Sequence, residues 1–275
     1  MNDHPMTTTV TDDCGREHVF ASLPRRIVSL VPSLTETIVY LAGTDRLAGV
    51  TKYCIHPQNT LGGIPRIGGT KDPQVEKIIS LSPDLIIANK EENPRHPIEE
   101  LERAAPVFLT YPRTVRQAIK TVMDLGILTG AADAAQQFAQ SCDAVLKAVK
   151  VDGAIAESLS TACMIWRDPW MAAGPDTYVS DLLAVFGLQN ILDRSQDRYP
   201  QTSLDEVIEG GAQLILLPDE PYEFGDKDKA FVEDHLRAHG ATARVACIEG
   251  SYLTWFGSRT LSALGYLRKF KKTLL

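Results

Sequence analysis

Cys54 and His56 stand two apart in Lys-Tyr-Cys-Ile-His-Pro, and on an extended strand both side chains would face one side. A thiolate and an imidazole so placed could ligate a metal ion. A closed zinc site needs about four ligands at recognisable spacing, and His4, His18, His96, His235 and His239 make no such set. His235 and His239 lie at i and i+4 of a helical stretch, but Asp234, Arg237 and Gly240 mark an exposed helix end. They read as surface histidines. No metal site is assigned, and Cys54 and His56 are expected to line a cleft without ligating.

Asp219-Glu220-Pro-Tyr222 sets two carboxylates after an apolar run, a position where general acids and bases occur. Nothing nearby supplies a nucleophile or a cofactor cradle, and the chain has no G-x-S-x-G elbow, no P-loop and no H-E-x-x-H. The chain is therefore expected to hold no catalytic residue and no resident cofactor. A small-molecule enzyme using Asp219 and Glu220 ranks last.

The bulk numbers narrow the field further. The chain has 275 residues, 44% hydrophobic and 23% charged, enough to bury a sizeable core without disulfides or metal. A net charge of -7 argues against a nucleic-acid surface. Its one basic cluster, Arg268, Lys269, Lys271 and Lys272, suits a helix C-terminus. Five scattered cysteines without a C-x-x-C pair suit free thiols. No stretch approaches the roughly 18 apolar residues of a membrane span. The first residues lack a basic n-region and an apolar h-region, and Cys14 follows Thr-Asp-Asp, unlike an acylation site. As written the chain is expected in the cytoplasm, or in the periplasm or at the cell surface if its start is incomplete.

The elements that must position these residues alternate. An apolar run at 26–31 ends at Pro32 and reads as a buried strand. Ser33 or Thr35 could cap the helix that follows, which Gly43 ends. Strands at 47–51, 85–88 and 107–109 alternate with helices at 73–81 and 97–104. Helical spacing runs from 114 to 128, stopped by Gly130, and a stretch rich in Ala, Gln, Lys and Asp continues from 131 to about 156. As one helix it would span about 40 Å at about 1.5 Å per residue. The alternation then restarts, with strands at 162–166, 214–217 and 244–248 and helices at 178–186, 203–209, 230–238 and 258–270. Residues 74–88 can be laid on 203–217 without a gap, so that Ile78 meets Val207, Leu85 meets Leu214, and Glu76 falls on Asp205. The expected fold is α/β with a mainly parallel sheet in each half. It divides into an N-terminal segment (1–25), an N-terminal lobe (26–130), a connecting helix (131–157) and a C-terminal lobe (158–275).

Arg26-Ile-Val-Ser-Leu-Val-Pro-Ser-Leu-Thr-Glu36, Leu47-Ala-Gly-Val50, Pro65-Arg-Ile-Gly-Gly69, Ile79-Ser-Leu-Ser-Pro-Asp-Leu-Ile-Ile-Ala88 and Trp255-Phe256 follow one another in an order that resembles a known family. It is the substrate-binding proteins of ABC importers whose two lobes are joined by one rigid helix, the class III periplasmic-binding-protein fold. Vitamin B12, ferric-siderophore and haem receptors belong to it, and the cobalamin-binding branch looks closest. The resemblance implies a helical-backbone metal receptor that binds a corrinoid or an iron chelate in the cleft between its lobes. It also implies an ABC permease as partner, and a monomer is expected. A cytoplasmic sensor or carrier on the same scaffold is the alternative.

Family members set one carboxylate on each lobe against permease arginines, and Glu76 and Asp205 match those positions, with Glu206 as a neighbour that could substitute. Both acids also suit the first turn of a helix without any partner. Ligands of open α/β sheets bind beyond the carboxyl ends of the strands. That rule selects Tyr53, Trp166, Trp170 and Tyr199 as aromatic faces for a flat ligand, and Tyr222, Phe224, Trp255 and Phe256 beside them. Some of them could instead belong to the core, Trp166 or Phe256 above all. Lys71, Arg167 and Arg259, with Lys52 and Lys90, could meet carboxylates or chelator oxygens. His56 could offer an axial nitrogen to cobalt or haem iron. The segment Gly68-Gly69-Thr70-Lys71 stands where B12 binders carry a tryptophan, which leaves a smaller corrinoid or an iron chelate open.

Overall fold

The structure, a computed structural model, describes residues 7–153 and 158–274. The part of the connecting stretch expected at 154–157, and the first six residues, lie outside the described residues. The chain divides into two compact units. One holds Met1–Pro112, Gln117–Ser141 and Gly257–Arg259; the other holds Arg113–Arg116, Cys142–Phe256 and Thr260–Leu275.

In the first unit, strands β3 (Ile27–Ser29), β4 (Leu47–Val50), β5 (Leu85–Asn89) and β6 (Val107–Thr110) make one sheet in the order β4-β3-β5-β6, every pair parallel. All five residues of β5 are buried, as a parallel strand covered on both faces requires. One face packs Val28, Ile86, Ala88 and Val107 against Ile78, Ile98 and Leu101. Each such fully buried aliphatic side chain stabilises the unit by about 1.5–3 kcal/mol. The residues before β3 carry an antiparallel hairpin, β1 (Thr8–Thr11) with β2 (Glu17–Phe20), to which the sequence reading assigned no element. Its turn is closed by Asp12. The buried carboxylate accepts hydrogen bonds from the backbone N–H of Cys14 and of Arg16, both at 2.9 Å, and from Arg16 Nε at 2.8 Å.

Helix α1 (Pro32–Ala42) corrects the expected cap. Val31 is its N-cap, no side chain caps it, and Pro32 stands at its start. Proline brings a helical φ and has no N–H to satisfy, so the helix begins before Ser33 and Thr35, which are buried inside it. Thr35 Oγ1 turns instead to Ser29 Oγ at 2.8 Å and the carbonyl of Val31 at 3.1 Å.

Helices α2 (Val75–Ser80) and α3 (Arg95–Leu101) complete this sheet's connections, and α4 (Val115–Thr129) ends at Gly130, whose φ is +73°. Helix α5 (Ala132–Gly153) follows at once and passes from the first unit, through Ser141, to the second, from Cys142. It buries Ala135, Phe138, Cys142, Leu146 and Val149 along one stripe. Within the first unit, a Cβ on Gly126 would overlap the Cβ of Ala135, so α4 and α5 touch backbone to side chain there.

The second unit has strands β7 (Leu159–Trp166), β8 (Met171–Ala172), β9 (Leu188–Asn190), β10 (Leu214–Pro218) and β11 (Arg244–Ile248). Strands β11, β10 and β7 pair in parallel; β9 joins the other edge of β7 in parallel and β8 joins it antiparallel. The sheet is mainly parallel, as expected, although the two short edge strands escape a pattern reading. Helices α6 (Tyr178–Val185), α7 (Leu204–Glu209), α8 (Asp226–Ala238), α9 (Ser251–Thr254) and α10 (Arg259–Leu274) surround it. Leu204 and Val207 of α7 share a core with Val232 and Leu236 of α8 and with Ile215 and Leu217 of β10.

The ungapped internal match coincides with whole elements. It lays Val75–Ser80 on Leu204–Glu209 and Leu85–Asn89 on Leu214–Pro218, end on end.

Candidate functional site

The carboxyl ends of β7, β10 and β11 carry the aromatic loops of the second unit. Trp166 closes β7, and the next residues place Arg167 and Trp170 over helix α8. Asp228, in the first turn of α8, accepts from the backbone N–H of Gly225 at 3.0 Å and pairs with Arg167. That ion pair holds the guanidinium 5.5 Å from the Trp170 ring centre and 4.5 Å from that of Phe231. Trp170 stacks on Phe224 at 5.9 Å, within 4° of parallel, and on Phe231 at 6.4 Å. Tyr222 bridges the set, 4.6 Å from Phe224 and 5.5 Å, edge to face, from Trp166. Trp166 itself stays 44% exposed, whereas Phe224 is buried. The result is a layered aromatic wall in which Phe224 is core, while Trp166 at one end and Phe231 at the other stay exposed.

The loops after β10 and β11 are tied to each other. Asp219 Oδ1 accepts from the Gly250 N–H at 2.6 Å, and Glu220 Oε2 accepts from Trp255 Nε1 at 2.8 Å. A Cβ on Gly250 would lie 2.5 Å from the Glu220 nitrogen, so only glycine permits that backbone approach. Both carboxylates of the one acidic pair considered for catalysis thus act as clamps. Burial pushes the Cys142 and Cys163 thiols up to about 12, and burial also raises the more open Cys14 and Cys247.

Other residues selected from the sequence fall elsewhere in this unit. Tyr199 is 38% exposed with the Arg198 guanidinium 5.7 Å from its ring. Phe256 is buried, edge-on to Tyr178 at 6.4 Å, and so belongs to the core, as one alternative had it. Trp166, the other residue with a core alternative, is open.

In the first unit the corresponding loops are more polar. Asn89 and Asn93 organise the one after β5. Asn93 Oδ1 accepts from the Asn89 N–H at 2.9 Å, and Asn89 Oδ1 accepts from the N–H groups of Glu91 and Glu92. Asn93 Nδ2 donates to Thr70 O at 2.9 Å, and Lys71 Nζ donates to Glu91 O at 2.6 Å. Lys71 is exposed and gives one of its three donors to this loop. Tyr53 is 52% exposed, with Lys52 Nζ 5.1 Å from its ring centre, and a Cβ on Gly69 would come within 3.0 Å of the ring. The tighter overlap of that Cβ is with Asp72 Oδ1, so the glycine leaves room for the carboxylate first and the ring second.

Cys54 and His56 do not share a strand face, because β4 ends at Val50 and 51–64 is irregular. Cys54 is fully buried, its Sγ 3.1 Å from the hydroxyls of both Thr35 and Thr51, and His56 is half-buried. Cleft lining by Cys54 is excluded by this packing. Arg259 is engaged by Glu36 through two bonds of 2.7 and 3.2 Å, with both side chains mostly buried.

Glu76 and Asp205 are both exposed in the first turns of α2 and α7. Glu206 is occupied in a capping box: its Oε2 accepts from the Ser203 N–H at 2.8 Å while Ser203 Oγ accepts from the Glu206 N–H at 3.1 Å. It leaves Asp205 as the outward acid of the first turn of α7. Sequence reasoning missed Phe231 and Asp228, because the first turn of α8 is polar and its start is set by Asp228. A Gly-x-x-Asp signal was present in Gly225-Asp-Lys-Asp228.

Among known proteins, residues 27–249 match the sequence model of the family described as periplasmic binding protein. A vitamin B12-binding protein of Yersinia pestis is 26% identical over 199 residues, covering 72% of this chain and 70% of that protein. In the same fold, with a TM-score of 0.77, is the periplasmic vitamin B12 binding protein of Vibrio cholerae, 22% identical over 91% of this chain and 97% of that one. A periplasmic heme-binding protein of Roseiflexus is also 22% identical, with a TM-score of 0.74, over 90% of this chain and 97% of that one.

Proposed function

The chain belongs to the periplasmic binding protein family, and on that premise we propose that it binds a corrinoid or haem-like iron chelate as the receptor component of an ATP-driven importer. The observation that carries the reading is the aromatic wall of the second unit. Trp166 offers an exposed ring at the carboxyl end of β7, held edge to face by Tyr222, which rests in turn on Phe224. A flat macrocycle gains large apolar contact on such a ring at little cost in side-chain entropy. The relatives named above bind vitamin B12 or heme by their descriptions, which supports this ligand class.

Glu76 and Asp205 are the proposed contacts for permease arginines, each outward-facing on one of the two matching helices. A location outside the cytoplasmic membrane is proposed as well, supported by relatives described as periplasmic, against the cytoplasmic carrier that the sequence left as an alternative. No helix among the described residues is long and apolar enough to cross a membrane. Binding without turnover accords with the family and with the structural duty of Asp219 and Glu220.

Titration of the purified chain with cyanocobalamin, cobinamide and haemin, followed by tryptophan fluorescence, tests the proposal. Saturable quenching at one equivalent by at least one of them is expected. A flat response to all three would remove the ligand class.

A further inference from the structure

Asp205, His235 and His239 come together on the surface of the second unit, with one ligand atom of each lying within 4.8 Å of the others. His235 on α8 and His239, the C-cap of that helix, are one turn apart, and the third group comes from α7. Burial of Leu204 and Val207 beside Val232 and Leu236 locks the helices together and so sets Asp205 opposite the histidine pair. We propose that this triad is a binding site for a divalent first-row transition-metal ion of the zinc class.

The hydrogen bonding prepares the donors. His239 Nδ1 lies 2.8 Å from the carbonyl oxygen of His235. A carbonyl only accepts, so this ring carries its proton on Nδ1 and, when neutral, presents the bare Nε2 lone pair outward. That is the second contact metal-ligating histidines ordinarily make, which fixes tautomer and ring orientation together. Nε2 of His239 faces Asp205 Oδ1 across 3.5 Å. With the ring neutral both atoms are acceptors, and either a proton on Nε2 or a metal ion between them satisfies the pair.

His235 Nε2 meets the same oxygen at 2.6 Å. Its ring stacks on that of His239 with centres 4.3 Å apart. On binding metal this imidazole moves its proton from Nε2 to Nδ1, and the carboxylate exchanges the hydrogen bond for a metal bond.

Donors around a tetrahedral zinc stand about 3.3 Å apart, given bonds of about 2.0–2.1 Å. The His239–Asp205 separation already matches, and the His235–Asp205 separation must open by roughly 0.7 Å, a small rotation of exposed side chains. Two imidazoles and one carboxylate select zinc, cobalt, nickel or copper over calcium and magnesium, which prefer all-oxygen sets. With side-chain exposures of 27% for His235, 46% for His239 and 60% for Asp205, the remaining coordination positions open to solvent.

If Asp205 is a docking carboxylate, an occupied site withdraws it from a permease arginine. That consequence rests on the proposed function. Metal binding by the isolated chain does not, so the two can fail separately.

Isothermal titration of the full chain with Zn²⁺ in a chelator-free buffer, with Co²⁺ absorption as a second readout, tests the site. One ion per chain is expected, with ligand-field bands from Co²⁺. Affinity should fall at least tenfold in His239→Ala and at least 100-fold in His235→Ala/His239→Ala. Those variants retain Cys14 and Cys247, so any thiol binding shows as the residual. Equal thermal midpoints in EDTA would confirm that exposed-site variants fold. Zinc binding by the double variant as tight as by the original chain, or no binding by the original chain at 100-micromolar Zn²⁺, overturns the proposal.

Discussion

Replacing Trp166 and Trp170 separately by alanine separates a ligand surface from its support. Trp166 leaves 44% of its surface open. For an aromatic side chain of about 150–250 Å² the open part is roughly 65–110 Å². At about 25 cal/mol/Å² a ligand covering it gains about 1.6–2.8 kcal/mol, so Trp166→Ala should weaken binding about 15- to 100-fold. The same change removes one edge-to-face contact, with Tyr222, and should cost about 1 kcal/mol of stability.

Trp170 is built in the opposite sense. It loses two stacked rings and one guanidinium contact when truncated, at about 0.5–1.5 kcal/mol for each aromatic pair and about 0.5–1 kcal/mol for the cation. Trp170→Ala should therefore lose about 1.5–4 kcal/mol in urea unfolding. Fluorescence titration with cyanocobalamin or haemin and urea denaturation of both variants form the assay. A Trp166→Ala protein that binds as the original does, beside a Trp170→Ala protein of undiminished stability, would refute the division of labour.

Two further outcomes follow from the packing. Burial alone would raise the Asp12 carboxyl, but hydrogen bonds from the Arg16 backbone and side chain, from His18 and from Leu109 outweigh it and hold it below its ordinary value. A depressed carboxyl contributes stability in full above its unfolded value of about 3.9 and loses it as pH falls through the lower folded value. Asp12→Asn should thus cost about 2–3 kcal/mol at pH 7, and the gap to the original chain should close below about pH 4. A gap that stays constant down to pH 2 contradicts the hydrogen-bond account. Gly126→Ala gains about 0.8–1 kcal/mol of helix propensity yet overpacks Ala135 by about 1–3 kcal/mol. A net loss near 1 kcal/mol is expected in thermal unfolding, and a gain would show that α4 and α5 can part.

Much of the architecture was legible because burial in a parallel sheet leaves a short-range trace. Leu85-Ile-Ile-Ala and Leu214-Ile-Leu-Leu read as buried strands, and their ungapped alignment carried α2 onto α7 and Glu76 onto Asp205 without any coordinates. The hairpin at the start was missed because Thr8–Thr11 and Glu17–Phe20 expose most of their side chains. Its determinant is Asp12, whose carboxylate gathers donors as distant in sequence as Leu109.

The wall of aromatic rings was half visible. Rings placed after strand ends could be named from the chain, because strand ends are local features. Which of them stay open could not: Trp166 and Phe256 had the same alternative, and tertiary packing exposed one and buried the other. Cys54 seemed to share a face with His56 only while a strand was assumed there. The histidine pair on α8 lacked a third donor because Asp205 stands 30 positions away. Sequence alone determined the buried strands and their helices, the alternation and the repeat, since periodic burial is written into neighbouring residues. Which distant side chains meet depended on helix packing, where a single buried leucine or valine aims the polar residue beside it.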